Sequence, residues 1–133
     1  MTYIDSNLFI YAALYDDERG EKARKFLEEV RLGKEVSYTS SLTFDEVFWI
    51  VKKEKDMDSA LEIVRAMLEM RNLKFVTVDT SLLWESYKLI KEYGLDPRDS
   101  IHLACALEKK SDIITSEDRD FDDIDVVKRE WIV

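Results

Sequence analysis

The chain predicts an α/β fold in which helices cover both faces of a mostly parallel sheet of four to five strands. Three observations carry that expectation. Short β-prone runs alternate with helical patterns along the whole chain, as parallel strands joined by crossover helices require. The β-prone runs end in polar or acidic residues that lead into a helix start. With 133 residues, 46% of them hydrophobic, the chain can bury about two thirds of its unfolded surface. One domain, residues 1–133, is expected, since no linker, repeat or low-complexity tract interrupts the pattern.

Taken in order, Met1–Ile4 is a short strand that hands Asp5 to solvent, and a helix begins near Asn7. Leu8–Leu14 continues it as a buried helical segment. Asp16–Gly20 is a polar connection, followed by a helix over Glu21–Leu32 with Ala23, Phe26, Leu27 and Val30 on one face. Glu35–Ser40 is the second strand, and the next helix runs from Leu42 to Lys55 with Phe44, Val47, Phe48 and Val51 as its apolar face. A helix from Asp58 to Met70 turns Leu61, Val64, Met67 and Leu68 inward. Phe75–Val78 is the third strand, and Asp79 or Thr80 caps a helix carrying Leu83, Tyr87 and Ile90 and ending at Gly94. Asp96-Pro97-Arg98-Asp99 is a strong helix start, with proline at the first helical position. The helix it opens, to about Lys109, is rich in small and apolar residues and is expected to be buried on most sides. Asp112–Ser116 is the fourth strand, and Val126-Val127 or Trp131-Ile132-Val133 offers an edge strand.

Composition limits the function. No apolar run approaches the roughly 20 residues of a membrane span, and no basic region with a long apolar core marks a signal peptide. A single cysteine, Cys105, cannot form an internal disulfide, which suits a reducing cytoplasm. The net charge of −9 argues against sequence-independent nucleic-acid binding through a basic face. It does not exclude a nucleic-acid enzyme whose acidic residues hold metal ions, because a bound cation inverts the local field.

Four acidic positions share a logic. Asp5 ends the first strand, Glu46 lies early in the helix after the second, Asp99 opens the helix before the fourth, and Asp118 lies just past it. In a parallel sheet these positions meet at the carboxyl edge, where ligands bind in open α/β sheets. Carboxylates crowded together repel one another, and a hard divalent cation removes that penalty; oxygen ligands favour Mg²⁺ or Mn²⁺. Such sites serve phosphoryl chemistry. Each acid also has a plainer explanation. Asp5 is a good helix cap, Thr43-Phe44-Asp45-Glu46 matches a capping box, and Asp99 suits the first turn of a helix. The plain readings explain the residues singly and leave their shared edge unexplained.

Four segments, in this order and spacing, resemble a known family: Ile4-Asp5-Ser6-Asn7-Leu8-Phe9-Ile10, Leu42-Thr43-Phe44-Asp45-Glu46-Val47, Asp96-Pro97-Arg98-Asp99-Ser100-Ile101-His102-Leu103-Ala104 and Ile114-Thr115-Ser116-Glu117-Asp118-Arg119-Asp120-Phe121. Together they resemble PIN domains, most of all the VapC-type toxin ribonucleases of toxin–antitoxin pairs, over the full length. The resemblance implies a three-layer α/β/α nuclease fold and a Mg²⁺- or Mn²⁺-dependent endoribonuclease with an RNA substrate. It also implies a cognate antitoxin and a homodimer, while the lack of a membrane-length apolar run leaves no membrane among the expected partners. Carried onto matching positions, it makes Asp5, Glu46, Asp99 and Asp118 the catalytic acids. Asp5, Asp99 and Asp118 are the metal ligands, and Asn7 and Ser116 orient them. Anchoring the last motif on Phe121 selects Asp118; anchoring it on Thr115 selects Glu117 as the alternative.

Within the same fold, RNA processing or structure-specific DNA cleavage is the alternative. A receiver-like signalling domain also clusters acids at strand ends, but it needs a lysine after a late strand, where this chain has Glu117-Asp118. A dehalogenase-type phosphatase needs a second acid at the first strand, where Asn7 stands. His102, on an apolar helix, reads as a structural histidine, and Cys105 as core filling. Phe44, Phe48, Trp49, Met67 and Met70 read as core or partly as an exposed patch suited to dimerisation.

Overall fold

The computed structural model describes residues 1–132. Five parallel strands form one sheet in the order β3-β2-β1-β4-β5. The strands are β1 (Thr2–Ile4), β2 (Ser37–Ser40), β3 (Leu73–Val76), β4 (Ile113–Thr115) and β5 (Lys128–Glu130). The helices are α1 (Ser6–Leu14), α2 (Glu18–Arg31), α3 (Ser41–Glu54), α4 (Met57–Glu69), α5 (Thr80–Tyr93) and α6 (Pro97–Glu108), with a 3-10 turn over Arg119–Asp123. Among the described residues no helix is long and apolar enough to cross a membrane.

The layers follow from side-chain alternation along the strands. Tyr3 and Ile114 point to one face and pack with Leu82, Leu89 and Leu103 of α5 and α6. Ile4 and Leu73 point to the other and pack with Leu8, Val47, Val51, Val64 and Met67 of α1, α3 and α4. Consecutive residues of a central strand therefore anchor two cores, the three-layer arrangement expected of this pattern. α6 lies deepest: Leu103, Cys105 and Ala106 are fully buried, and burial pushes the Cys105 thiol up to about 12, so it is an inert core residue.

Several expectations shift. α2 starts at Glu18, three residues before Glu21, because the Asp17 carboxylate caps it by accepting from the Arg19 amide at 3.0 Å. β3 starts at Leu73, which pairs with Ser37. The edge strand falls between the two predicted segments. Val127 is buried beside Phe121 and Ile124, and Trp131 packs edge-on against Tyr11 with ring centroids 5.2 Å apart. The backbone between them pairs with β4, and Arg129 there reaches Asp122 at 2.6 Å and the Ser116 carbonyl at 3.1 Å. Val133 lies outside the described residues.

Two helices are also rotated from expectation. In α4 the buried stripe is Ala60, Val64 and Met67, while Leu61 and Leu68 face outward. The apolar residues span more of this helix than α3 can cover. In α5 the inward residues are Leu82, Ser86 and Leu89, and Leu83, Trp84 and Tyr87 are exposed. The reason is polar: Ser86 and Ser100 share a 2.5 Å hydrogen bond, and two small side chains let α5 and α6 approach closely.

Gly20 sits inside α2, where alanine would be the better helix former. Tyr15, just past α1, explains it. Its carbonyl accepts from the Arg24 guanidinium at 2.9 Å, and a Cβ at Gly20 would lie 1.7 Å from that oxygen. The missing side chain lets α2 close against the end of α1. Gly20→Ala should therefore destabilise by about 1–3 kcal/mol, the scale of overpacking, despite its gain in helix propensity. A lowered urea midpoint is the expected result; an unchanged or raised midpoint would contradict the contact.

Candidate metal centre

Asp5 follows directly on β1 and caps α1. Its Oδ1 accepts from the Ser6 amide at 2.6 Å, and its Oδ2 accepts from the Ser116 hydroxyl at 2.7 Å. The carboxylate is only 5% exposed, so these donors replace the water it has lost. Glu46 stands in the second turn of the neighbouring helix, α3, which follows β2. It forms no capping box: Ser40 takes the N-cap position of α3 without a side-chain cap bond, and Thr43 lies against the Thr39 hydroxyl at 2.7 Å. The Glu46 carboxylate instead turns across the sheet edge, where Oε1 accepts from His102 Nε2 at 2.7 Å.

Asp99 is the third residue of α6, two after Pro97. Asp118 caps the 3-10 turn, accepting from the Asp120 amide at 2.9 Å, and its own amide donates to the Ser116 hydroxyl at 3.0 Å. The side chains form two adjoining groups. Asp5, Glu46 and His102 present ligand atoms within 4.8 Å of one another, and Asp99, Asp118 and Asp120 do the same. Ser116 joins the groups, since its hydroxyl touches both Asp5 and the Asp118 amide. Asn7 braces this junction, 3.5 Å from the Ser116 hydroxyl and 3.4 Å from the Glu117 amide.

Glu117 lies apart. Tyr11 donates its hydroxyl to Oε1 at 2.6 Å, which turns the carboxylate into a separate cleft with Arg19, Arg119, Arg129 and Trp131. Of the two alternatives, Asp118 is the one beside Asp99.

The electrostatics register the crowding. Burial raises the Asp99 carboxyl, and the charge of Asp118, a hydrogen bond shared with it and the charge of Asp5 raise it further, to about 7. Asp120 is also raised, chiefly by Asp118. Burial alone would lower His102, but the carboxylates of Asp5, Glu46 and Asp99 outweigh it and the imidazole is raised. An edge with this much uncompensated negative charge and mainly oxygen donors fits a hard divalent cation. The two adjoining groups, Asp5 with Glu46 and Asp99 with Asp118 and Asp120, supply the carboxylates that would hold one.

Comparison with known proteins bears on what such an edge is for. The family model for the PIN domain matches residues 2–127. The chain belongs to the PIN-domain family. This PIN domain is 31% identical over 108 residues to ribonuclease VapC23 of Mycobacterium tuberculosis, covering 79% of this chain and 82% of that one. Its fold is shared with the M. tuberculosis VapC20, described as a sarcin–ricin-loop-cleaving toxin. The TM-score there is 0.77 at 14% identity, over 92% of this chain and 93% of that one. A toxin–antitoxin complex from Klebsiella pneumoniae gives a TM-score of 0.69 at 22% identity, over 96% of both chains.

Two residues of the PIN domain's acidic edge escape a reading of the sequence. Asp120 looks like part of a generic acidic loop, although its place two residues after Asp118 carries it back along the 3-10 turn. His102 is set aside as core, and it is indeed 1% exposed, yet one ring nitrogen faces Glu46 and Asp5 and the other the Tyr3 hydroxyl. The available signal is its spacing: three residues after Asp99 on a helix, it shares that residue's face.

Asp99 gives the metal-free protein a defined pH dependence. Its carboxyl titrates near 7 when folded and near 4 when unfolded. The folded state therefore holds the proton more tightly, and stability falls as pH rises between those values. In EDTA the thermal midpoint should drop between pH 5 and pH 8. Asp99→Asn should reduce that drop and raise the midpoint at pH 8 by on the order of a few degrees. His102, also raised, leaves a residual slope of the same sign. An Asp99→Asn protein with the wild-type slope would show that Asp99 is not strained by its neighbours.

Proposed function

We propose that this PIN domain is a Mg²⁺- or Mn²⁺-dependent endoribonuclease, the toxin of a VapBC-type pair, working in the cytoplasm as one nuclease unit across the chain. The convergence of Asp5, Glu46, Asp99 and Asp118 at the carboxyl edge of the sheet is the observation that carries this reading. The kinship with ribonuclease VapC23 gives it a substrate class, RNA.

In this reading Asp5, Asp99 and Asp118 hold the cation. When bound, the metal supplies positive charge to the phosphate and makes water a stronger acid. Glu46 orients the attacking water and accepts its proton, placed for in-line displacement at phosphorus. Ser116 and Asn7 fix the carboxylates: the hydroxyl of Ser116 donates to Asp5 and accepts from the backbone of Asp118, so both ligands stay in register. The chain's own charge of −9 gives RNA no long-range attraction. Productive binding therefore leans on the loaded site.

Partner surfaces are available. An apolar groove between α1, α2 and α4, lined by Phe9, Ala13, Leu27, Ile63 and Met67, suits the apolar face of an antitoxin helix. Its support is the Klebsiella toxin–antitoxin complex, which shares the fold. The exposed Leu83, Trp84 and Tyr87 of α5 and Trp49 of α3 suit a homodimer contact.

The purified protein, freed of metal and then given Mg²⁺ or Mn²⁺, should cut single-stranded or looped RNA and stop cutting in EDTA. Asp5→Asn keeps a residue able to cap α1. It should fold normally while losing about 100-fold or more in rate, the scale of removing one pre-organised electrostatic group. Equal cleavage by the Asp5→Asn protein would sink the proposal.

A further inference from the structure

We infer that His102 is the positioning residue for Glu46: a buried chain, Tyr3–His102–Glu46, sets the carboxylate that handles the attacking water. The inference rests on the nuclease reading above and adds a role that the four acids do not supply.

The geometry decides which atom carries the proton. His102 Nε2 lies 2.7 Å from Glu46 Oε1 and 3.3 Å from Asp5 Oδ1. An ionised carboxylate has no hydrogen to give. The hydrogen is therefore on Nε2 whether the ring is neutral or charged, and that nitrogen is a donor, not a free metal ligand. The other nitrogen, Nδ1, is 2.7 Å from the Tyr3 hydroxyl. Tyr3 is fully buried in the middle of β1, the central strand. With both nitrogens engaged and the ring 1% exposed, the imidazole has no second orientation that keeps its partners.

Glu46 needs such a hold. Its side chain has three rotatable bonds, sits at the rim of the cleft formed with Ser6, Trp49 and Arg98, and has no other hydrogen-bond partner among the described residues. His102 binds Oε1, which leaves Oε2 for water. The same N–H stands between Glu46 and Asp5, so one donor eases the repulsion between two acids. A histidine serving only the core would have no reason to face two carboxylates.

His102 is the sole histidine of the chain, so its ring can be observed directly by ¹⁵N NMR on metal-free protein, with no RNA present. A protonated Nε2 with a slowly exchanging hydrogen is expected; an unprotonated Nε2 would overturn the inference even if no RNA were ever cut. Cleavage then tests the role. His102→Leu should lower kcat about 10- to 100-fold, the usual effect of losing a supporting partner, with KM and calorimetric Mn²⁺ affinity unchanged. His102→Gln, whose amide can replace the Nε2 donor, should recover most of that rate, and Tyr3→Phe should fall between. In a Glu46→Gln background His102→Leu should cost far less than in the wild type, because most of its effect passes through the Glu46 carboxylate. If His102→Leu does not fold, His102→Met takes its place in each measurement. A folded variant lacking the donor that cuts at the wild-type rate overturns the inference, as does parallel loss of Mn²⁺ binding, which would make His102 a ligand. A wild-type protein that cuts no RNA would refute the nuclease reading instead, and the NMR result would still stand for or against the hydrogen bond.

Discussion

Negative charge packed into a place with little water is the constraint on which the rest of this structure depends. Asp5 is buried directly after the central strand, and Glu46, Asp99 and Asp118 crowd the same edge. Nothing about the sheet requires acids there. The fold accepts three of them by supplying donors: the Ser6 amide and Ser116 hydroxyl for Asp5, the imidazole for Glu46 and the Asp120 amide for Asp118. Asp99 has the weakest support and carries the raised carboxyl. A protein built for stability alone would put apolar groups here. The retained charge marks where structure has been given up to function.

The topology makes the crowding possible. Because β1, β2 and β4 run parallel and adjacent, the residues that follow them emerge on one side of the sheet. α6 enters from the same side, and its first turn brings Asp99. His102, one turn later on the same helix, reaches under the acids while Leu103 and Cys105 go into the core. A single helix thus supplies an acid to the site, the brace beneath it and the packing that fixes both.

The α/β class and the site-forming elements were legible because they depend on local patterns: short apolar strands, polar strand ends and the Asp96-Pro97 helix start. The edge position of Asp5, Glu46, Asp99 and Asp118 followed from assuming parallel strands. The misreadings share another cause. Leu61, Leu68, Leu83 and Tyr87 are apolar and correctly spaced for a buried face, but which stripe is covered depends on the neighbouring helix, and the Ser86–Ser100 contact that settles α5 links residues fourteen apart. Likewise, the separate cleft into which Glu117 turns depends on Tyr11, over a hundred residues away in the chain. The polar role of His102 hides within an apolar helix because its partners, Tyr3 and Glu46, lie 99 and 56 residues away in sequence.

Ser116 holds the first and last motifs of the chain together, with Asp5 on one side of its hydroxyl and the backbone of Asp118 on the other. In an emerging chain, Asp5, Glu46 and Asp99 leave the ribosome well before this residue does. A polypeptide halted before β4 carries three of the acids, the histidine and no finished centre. The order of the motifs along the chain thus leaves the acidic edge without its Ser116 link until β4 has been made.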